Sequence, residues 1–587
     1  MTAARREQLL KDAVVETQLV TREDIARTAA PDLSAVLTQR AGVELDGGVP
    51  AGDGVLLQGM GSQRVLILLD GQPLVGRVNG NFDISRLPLS MIQRVEVVRG
   101  PQSTLYGSDA LGGVINVITR PPADAFGATA SAIGGSQGRR EVSLGARGSA
   151  GALGYVLDGG FRTVDLAPGI TGDAGTLARR WSAAPRLVWR PDSQLTVDAS
   201  GLVVGERQRY RVGQLFQFAD NTQWSGSLAA AWRDGSHRIE PVLHFTEFRH
   251  LSRASTGPQP ATDSGATDVQ QLLQGELQYT GPLSAGGVLD AGVEARREGI
   301  RADRVQGGAR TLHAVEPYAQ ATFQAGPVSI VPGARYTWNE RWGSFVAPRL
   351  ALMVRPSGPL ALRASVGRGF RAPDFKELYL NFVNAAVGYA VVGNPSLRPE
   401  TSTSASLGAE WAGSRVYARA SVFAARFRDF IETGSADATG TYTYENVATG
   451  STGGVDVEGA LAAGRWRFDA GYSYLRTRDG ETGGPLLGRP PHAARASADM
   501  ALGSRLHLSL GGQYTARTPD QRDSLGVVTG WRPDYLRFYL HTSVVLPGDF
   551  EITGGLDNVF NRRVGTAWPG YTGRQAFVGL TWRVGRS

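Results

Sequence analysis

The sequence predicts an all-β transmembrane barrel of about 22 antiparallel strands, with a small N-terminal α/β domain inside its lumen. Three observations carry this reading. Glycine occupies 77 of 587 positions, nearly twice its usual share of about 7%, with no collagen period or glycine–serine linker to absorb it. The most obvious apolar run, Val65–Leu69, has only five residues and none is longer, while a membrane helix needs about 20 apolar residues. A chain of this kind that spans a membrane must therefore do so as a closed barrel. From about Phe126 onward, apolar and polar residues alternate with period two over long stretches.

The first 120 residues read as a compact α/β unit. Thr21 caps a short helix, with Glu23 and Asp24 in its first turn. Asp32 caps a second helix, in which Leu33, Val36 and Leu37 share a face and which Gly42 ends. Short strands follow at 55–57, 64–69, 95–98 and 114–119. We therefore expect an N-terminal segment over 1–20, the small domain over 21–122 and the barrel over 126–587.

The barrel strands show one apolar and one polar face. Trp224, Leu228 and Trp232 alternate with Ser225 and Ser227. Leu273, Leu277 and Tyr279 alternate with Gln274, Glu276 and Gln278, and Leu289 and Val293 with Asp290 and Glu294. A β-sandwich or propeller also alternates, but buries its apolar face in a shared core. Here the polar face is rich in charged residues and the apolar face ends in Trp and Tyr, which suits a wet lumen and aromatic girdles against lipid. Residues 126–587 number 462. At roughly 20 residues per strand and connection, they hold about 22 strands. Loops without a recognisable motif are expected at 256–270 and 434–444.

Composition excludes several classes. Net charge is +7, from 61 basic and 54 acidic residues, but no basic patch interleaved with aromatics marks a nucleic-acid binder. The absence of cysteine excludes a disulfide scaffold and a cysteine zinc site. The seven histidines do not cluster; His244 and His250 could share a strand face as lumen lining. Gly134, Ser136 and Gly138 fit G-x-S-x-G, but a hydrolase needs a helix after that motif, and residues 139–146 alternate like a strand. No catalytic residue and no metal site is expected. Residues 1–30 lack the apolar core of a signal peptide, so either the chain is cytoplasmic or its natural N-terminus lies upstream of Met1.

Residues 81–122, NFDISRLPLSMIQRVEVVRGPQSTLYGSDALGGVINVITRPP, resemble the plug domain of TonB-dependent outer-membrane receptors. The signature is Arg99-Gly100-Pro101, then Leu105-Tyr106-Gly107, then Gly112-Gly113 opening a strand. LILLDG at 66–71 matches the family's preceding strand and turn. NVATGSTGGVDVE at 446–458 and the two last strands, with Ala576, Val578, Leu580 and Trp582 outward, resemble the family's barrel.

The resemblance implies a Gram-negative-type outer-membrane location and a monomer in contact with outer-membrane lipid. It also implies energy coupling through a TonB–ExbB–ExbD complex and no covalent chemistry. Thr2–Arg6 look like the tail of the coupling segment, whose TonB box would lie upstream. No cofactor is implied; the cargo is a scarce metal chelate, first a ferric siderophore, with haem and cobalamin as alternatives. A passive porin or an outer-membrane hydrolase is the rival from another class. By resemblance the plug apices are 46–54 and 76–82, giving Asp46, Asp53, Arg77, Asn79, Asn81 and Phe82 as cargo contacts. The Phe370-Arg371-Ala372-Pro373 and Asn394-Pro395-Ser396-Leu397 motifs resemble those of haem receptors. These receptors usually place a histidine between the two motifs. None stands there, which leaves Tyr379 and Tyr389 as possible iron ligands, with Phe382 between them.

Overall fold

The computed structural model describes residues 12–48, 52–100, 102–166, 176–212, 215–260, 265–284, 286–356, 358–384, 388–434, 436–523, 525–564 and 573–585. Pro101 and Thr2–Arg6 lie outside the described residues.

Twenty-two antiparallel strands close into a barrel. The first, Gly127–Gly135, pairs with the last, Gln575–Val584. Strand Leu360–Arg371 pairs directly with Glu400–Ala412, so the hairpin Asn381–Asn384/Tyr389–Val392 between them belongs to a loop. The expected alternation holds. Trp224, Leu228, Leu277 and Val578 point outward, and Val578 is 61% exposed. Gln274, Glu276, Glu294 and Glu316 are buried in the lumen. Among the described residues no helix is long and apolar enough to cross a membrane.

Many strands are longer than the 9–11 residues a bilayer needs. Leu215–Asp234 has 20 residues and Thr441–Ala463 has 23. Strand Gly265–Leu283 starts inside the loop expected at 256–270, and Thr441–Ala463 inside that expected at 434–444. Above the lipid both strand faces meet water, so polar residues on both sides erase the period-two signal. One barrel end carries short turns such as Gly235-Ser236, the other connections as long as 372–399. Short turns mark the periplasmic end and long loops the outer one.

Inside sits a five-stranded sheet. Its strands are β1 Thr17–Thr21, β2 Val65–Leu69, β3 Gln72–Pro73, β4 Ile92–Arg99 and β5 Gly113–Thr119. The order is β1-β4-β5-β2-β3, with only β5 and β2 parallel. Helices α1 (Arg22–Thr28) and α2 (Leu33–Leu37) cover one face. Ile25, Leu33 and Leu37 pack there on Ile67, Val95 and Ile115, and the cluster continues to Leu202 and Val204 of the wall. On the other face Leu66, Leu68 and Val114 meet Val331, Ala351 and Met353 of the wall. The domain therefore shares its apolar core with the barrel on both sides.

Thr21 caps α1 as expected, in a reciprocal box with Asp24. Two details differ from the sequence reading. The sheet reaches back to Thr17, four residues before the expected boundary. Helix α2 ends at Leu37, and Gly42, with φ +71°, instead turns the chain into the hairpin Val43–Gly48/Gly52–Leu57. The Leu105-Tyr106 step of the signature lies in a helical turn, α3 Ser103–Tyr106. The G-x-S-x-G match ends the first barrel strand and turns straight into strand Arg140–Ala150. With no helix following, it is not a nucleophile elbow.

Candidate functional site

The signature residues form the seat of the inner domain. Arg99, 4% exposed, ends β4 and donates to Asp456 of the wall at 3.0 Å, to Gln18 Oε1 at 3.0 Å and to the Ala41 carbonyl. Glu458, two residues beyond Asp456, accepts from the Ala41 amide at 2.8 Å and from wall Arg419 at 2.9 Å. The two acids of the VDVE stretch thus clamp β1 and β4 through one buried network. Gly100 turns the chain with φ +78°. Tyr106 is buried among Leu66, Val98 and Val331. Gly107 has φ +75°, and a Cβ there would stand 2.6 Å from Glu316 Oε2. Gly113 has φ +145°, and its Cβ would meet the Val98 carbonyl at 2.4 Å. Gly112 packs on Met60. Below α3, Arg349 donates to Gln102 at 2.6 Å, and Thr104 donates to the Ala347 carbonyl at 2.9 Å.

The Phe370–Pro373 and Asn394–Leu397 motifs, read above as a cargo clue, have a structural job. Arg371 makes a two-pronged pair with Glu377 at 3.0 and 2.9 Å and reaches Glu400 at 2.7 Å. Glu400 in turn takes two bonds at 2.8 Å from Arg64 of the inner domain. The Ala372 amide donates to Ser108 at 3.1 Å. Asn394 donates to the Tyr444 carbonyl at 2.8 Å, and Leu397 packs with Leu378 and Ile431. The motifs tie inner domain, wall and outer loop together.

The same loop shapes the outer mouth. Helix α4 (Phe375–Tyr379), capped by Asp374, packs against Ile300, Ala302 and Val305. Lys376 pairs with lumen-facing Asp268. Beyond α4, Phe382 and Tyr389 meet edge to face at 5.8 Å, and Tyr389 meets Tyr442 at 6.4 Å. The exposed Arg304 guanidinium lies 4.6 Å from the Phe382 ring centre. Tyr379 is flanked by Arg310 at 4.7 Å, and its hydroxyl accepts from Arg341 at 2.7 Å. Tyr379 is therefore committed to an arginine and is not presented as an iron ligand. The mouth combines ring faces with guanidinium groups, a surface suited to flat anionic ligands.

The apex residues divide. Asn79 is exposed at the tip of the hairpin Arg77-Val78/Asn81-Phe82; Asn79 and Gly80 have φ +50° and +81°, the pair a tight hairpin turn needs. Asn81 is half-buried beside it. Asp46 stands opposite Gly54 on the neighbouring hairpin. Two candidates are corrected. Phe82 is 3% exposed and belongs to the core, because alternation in a two-residue strand turns it inward. Arg77 turns inward as well, pairing with Asp109 at 3.1 Å and donating to the Gln63 and Val65 carbonyls at 3.2 Å. Asp53 accepts from Ser34 at 2.8 Å. Burial, then the neighbouring Asp83 and Asp32, push its pKa up to about 7.

Sequence reasoning missed Arg304, Arg310, Arg341 and Tyr442. Only their gathering by 372–399 marks them; the one local signal was the alternation Tyr442, Tyr444 inside a stretch read as loop. His244 and His250 line the lumen as expected: His244 bonds the Pro73 carbonyl at 2.9 Å, and His250 bonds Asn221 at 2.7 Å. No group of three metal-ligating residues occurs among the described residues.

A barrel clamped around an inner sheet, with a mouth at the long-loop end, is the architecture of a gated outer-membrane importer. The description "TonB-dependent Receptor Plug Domain" matches residues 10–114, and "TonB dependent receptor-like, beta-barrel" matches 143–559. The chain belongs to the TonB-dependent receptor family. It is an outer-membrane transporter rather than an enzyme. It is 22% identical over 588 residues to the vitamin B12 transporter BtuB of Photobacterium profundum, covering 96% of this chain and 91% of the other. It is 24% identical over 621 residues to an iron-regulated outer membrane virulence protein of Vibrio cholerae, covering 99% and 94%. A variant of the ferric enterobactin receptor PfeA from Pseudomonas aeruginosa superposes with a TM-score of 0.84 at 20% identity, covering 97% and 98%.

Proposed function

We propose that this receptor imports an anionic, ring-bearing metal chelate, a ferric siderophore, by TonB-dependent transport. The observation that carries the reading is the mouth, where Arg304, Arg310 and Arg341 stand against Phe382, Tyr379 and Tyr389. Guanidinium groups favour a chelate with net negative charge, and ring faces favour planar ligand arms. The exposed tip at Asn79 offers a polar contact from below. Residues 21–122 act as the plug and 126–587 as the barrel. The TonB–ExbB–ExbD complex draws on the proton motive force to rearrange the plug, and the chain acts as a monomer. The B12 relative supports cobalamin as a competing cargo, and haem is the other alternative.

The test is a titration of purified, detergent-folded protein with ferric enterobactin, haem and cyanocobalamin, followed by quenching of the 11 tryptophans. Saturable binding of the ferric catecholate alone, weakened about tenfold or more by Arg304→Glu, is expected. Saturation by cobalamin or haem instead would replace this reading.

A further inference from the structure

A cavity of about 530 Å³ runs between plug and wall beside the barrel seam. It follows Thr129, Ser131 and Ile133, three successive lumen-facing positions of the first strand, or roughly 13 Å of its length. The gap exists because the facing wall is small and polar: Ser143, Gly145, Thr553 and Thr581 line it. Eight arginines and five carboxylates line it; Arg86 and Arg180 are paired with Glu206 and Asp83 behind the lining, so the surplus positive charge lies among the remaining arginines.

At the periplasmic end the arginines converge. Arg147 stands opposite Gly127 and Arg583 opposite Thr129, both at the start of the first strand. Arg22 and Arg120 approach from the plug side and line the same cavity. The acids do not balance them. Glu551 pairs Arg583 at 2.6 Å, and Asp158 lies 3.8 Å from Arg120. Glu23 is solvent-exposed on α1. Arg22 donates to the Leu89 and Ile92 carbonyls at 2.6 and 3.2 Å, and Arg147 has no ion pair among the described residues. Burial, then Arg120, lowers the Arg22 pKa to about 10, and burial, then Arg147, lowers that of Arg120. The cluster is thus positive, partly dehydrated and short of counter-charge.

We infer that Arg22, Arg120, Arg147 and Arg583 form an anion-binding site at the exit end of this cavity, which receives the carboxylate, phosphate or catecholate groups of cargo as it leaves the mouth. This rests on the proposed function for its cargo, but not for the anion site itself. The mouth and the cluster lie at opposite barrel ends, so an anion drawn inward has a second stop before the periplasm.

The probe is inorganic pyrophosphate, titrated calorimetrically into the purified full chain. One saturable site is expected, weakened about tenfold in Arg147→Ser and retained in Arg147→Lys. In cells, Arg147→Ser should slow energised uptake of ferric enterobactin severalfold while leaving its surface affinity unchanged. No saturable pyrophosphate binding, or binding indifferent to Arg147→Ser, would overturn the site. A site that binds while uptake is unchanged would overturn its place on the path. Should ferric enterobactin fail to bind at the mouth, the cargo reading fails, and the pyrophosphate titration still judges the site.

Discussion

Glu400 receives Arg64 from the plug, Arg371 from its neighbouring strand and the Ile431 amide at 2.8 Å. It is fully buried, so its charge is supported only by these partners. Removing one member of such a cluster leaves the others charged and dry, which costs about 3–5 kcal/mol. Glu400→Ala should therefore release the plug at a lower urea concentration, read by protease cleavage of residues 12–122, while the barrel stays heat-resistant. Asp53 gives a second prediction. Its carboxyl is pushed up to about 7 in the folded plug against an ordinary 3.8. The folded state then holds a proton that the unfolded state releases, and stability falls as pH rises from about 4 to 7. The urea midpoint for plug release should drop across that window, and Asp53→Asn should flatten the dependence. An unchanged slope in the variant would assign it to other groups.

Among the elements, α3 and the loop carrying α4 decide how plug and mouth are placed. α3 ends in Gly107, whose left-handed backbone and contact with Glu316 leave no room for a Cβ. Gly107→Ala should cost about 1–3 kcal/mol in plug seating, measured by the same urea release, without altering barrel assembly. The loop makes the opposite prediction. Tyr389→Ala removes the central ring of the Phe382–Tyr389–Tyr442 cluster and should weaken cargo binding about tenfold with plug seating intact.

At this scale the limits of sequence reading are also clear. The cap at Thr21, the plug strands and the outward stripe at Val578–Trp582 were legible, because each is a local pattern of period or capping. The strand extensions above the membrane were not, since both faces are polar there. The wall partner of Arg99, Asp456, and the plug partner of Glu400, Arg64, were not, since each lies more than 300 residues away. Phe82 looked like an apex contact because the sequence shows a tip at Asn79-Gly80 but not the side to which the next residue turns.

For the whole molecule, the barrel supplies a dry outer face and a charged lumen, and the plug fills that lumen by sharing its core with the wall. Such a closed body passes cargo only when the plug is moved, which ties transport to an outside energy source rather than to diffusion. The most direct test is uptake of radioiron-labelled ferric enterobactin by cells carrying the intact chain, with and without a protonophore. The account predicts saturable uptake that the protonophore abolishes while surface binding persists. Uptake of equal rate in de-energised cells would contradict it and make the protein a passive pore.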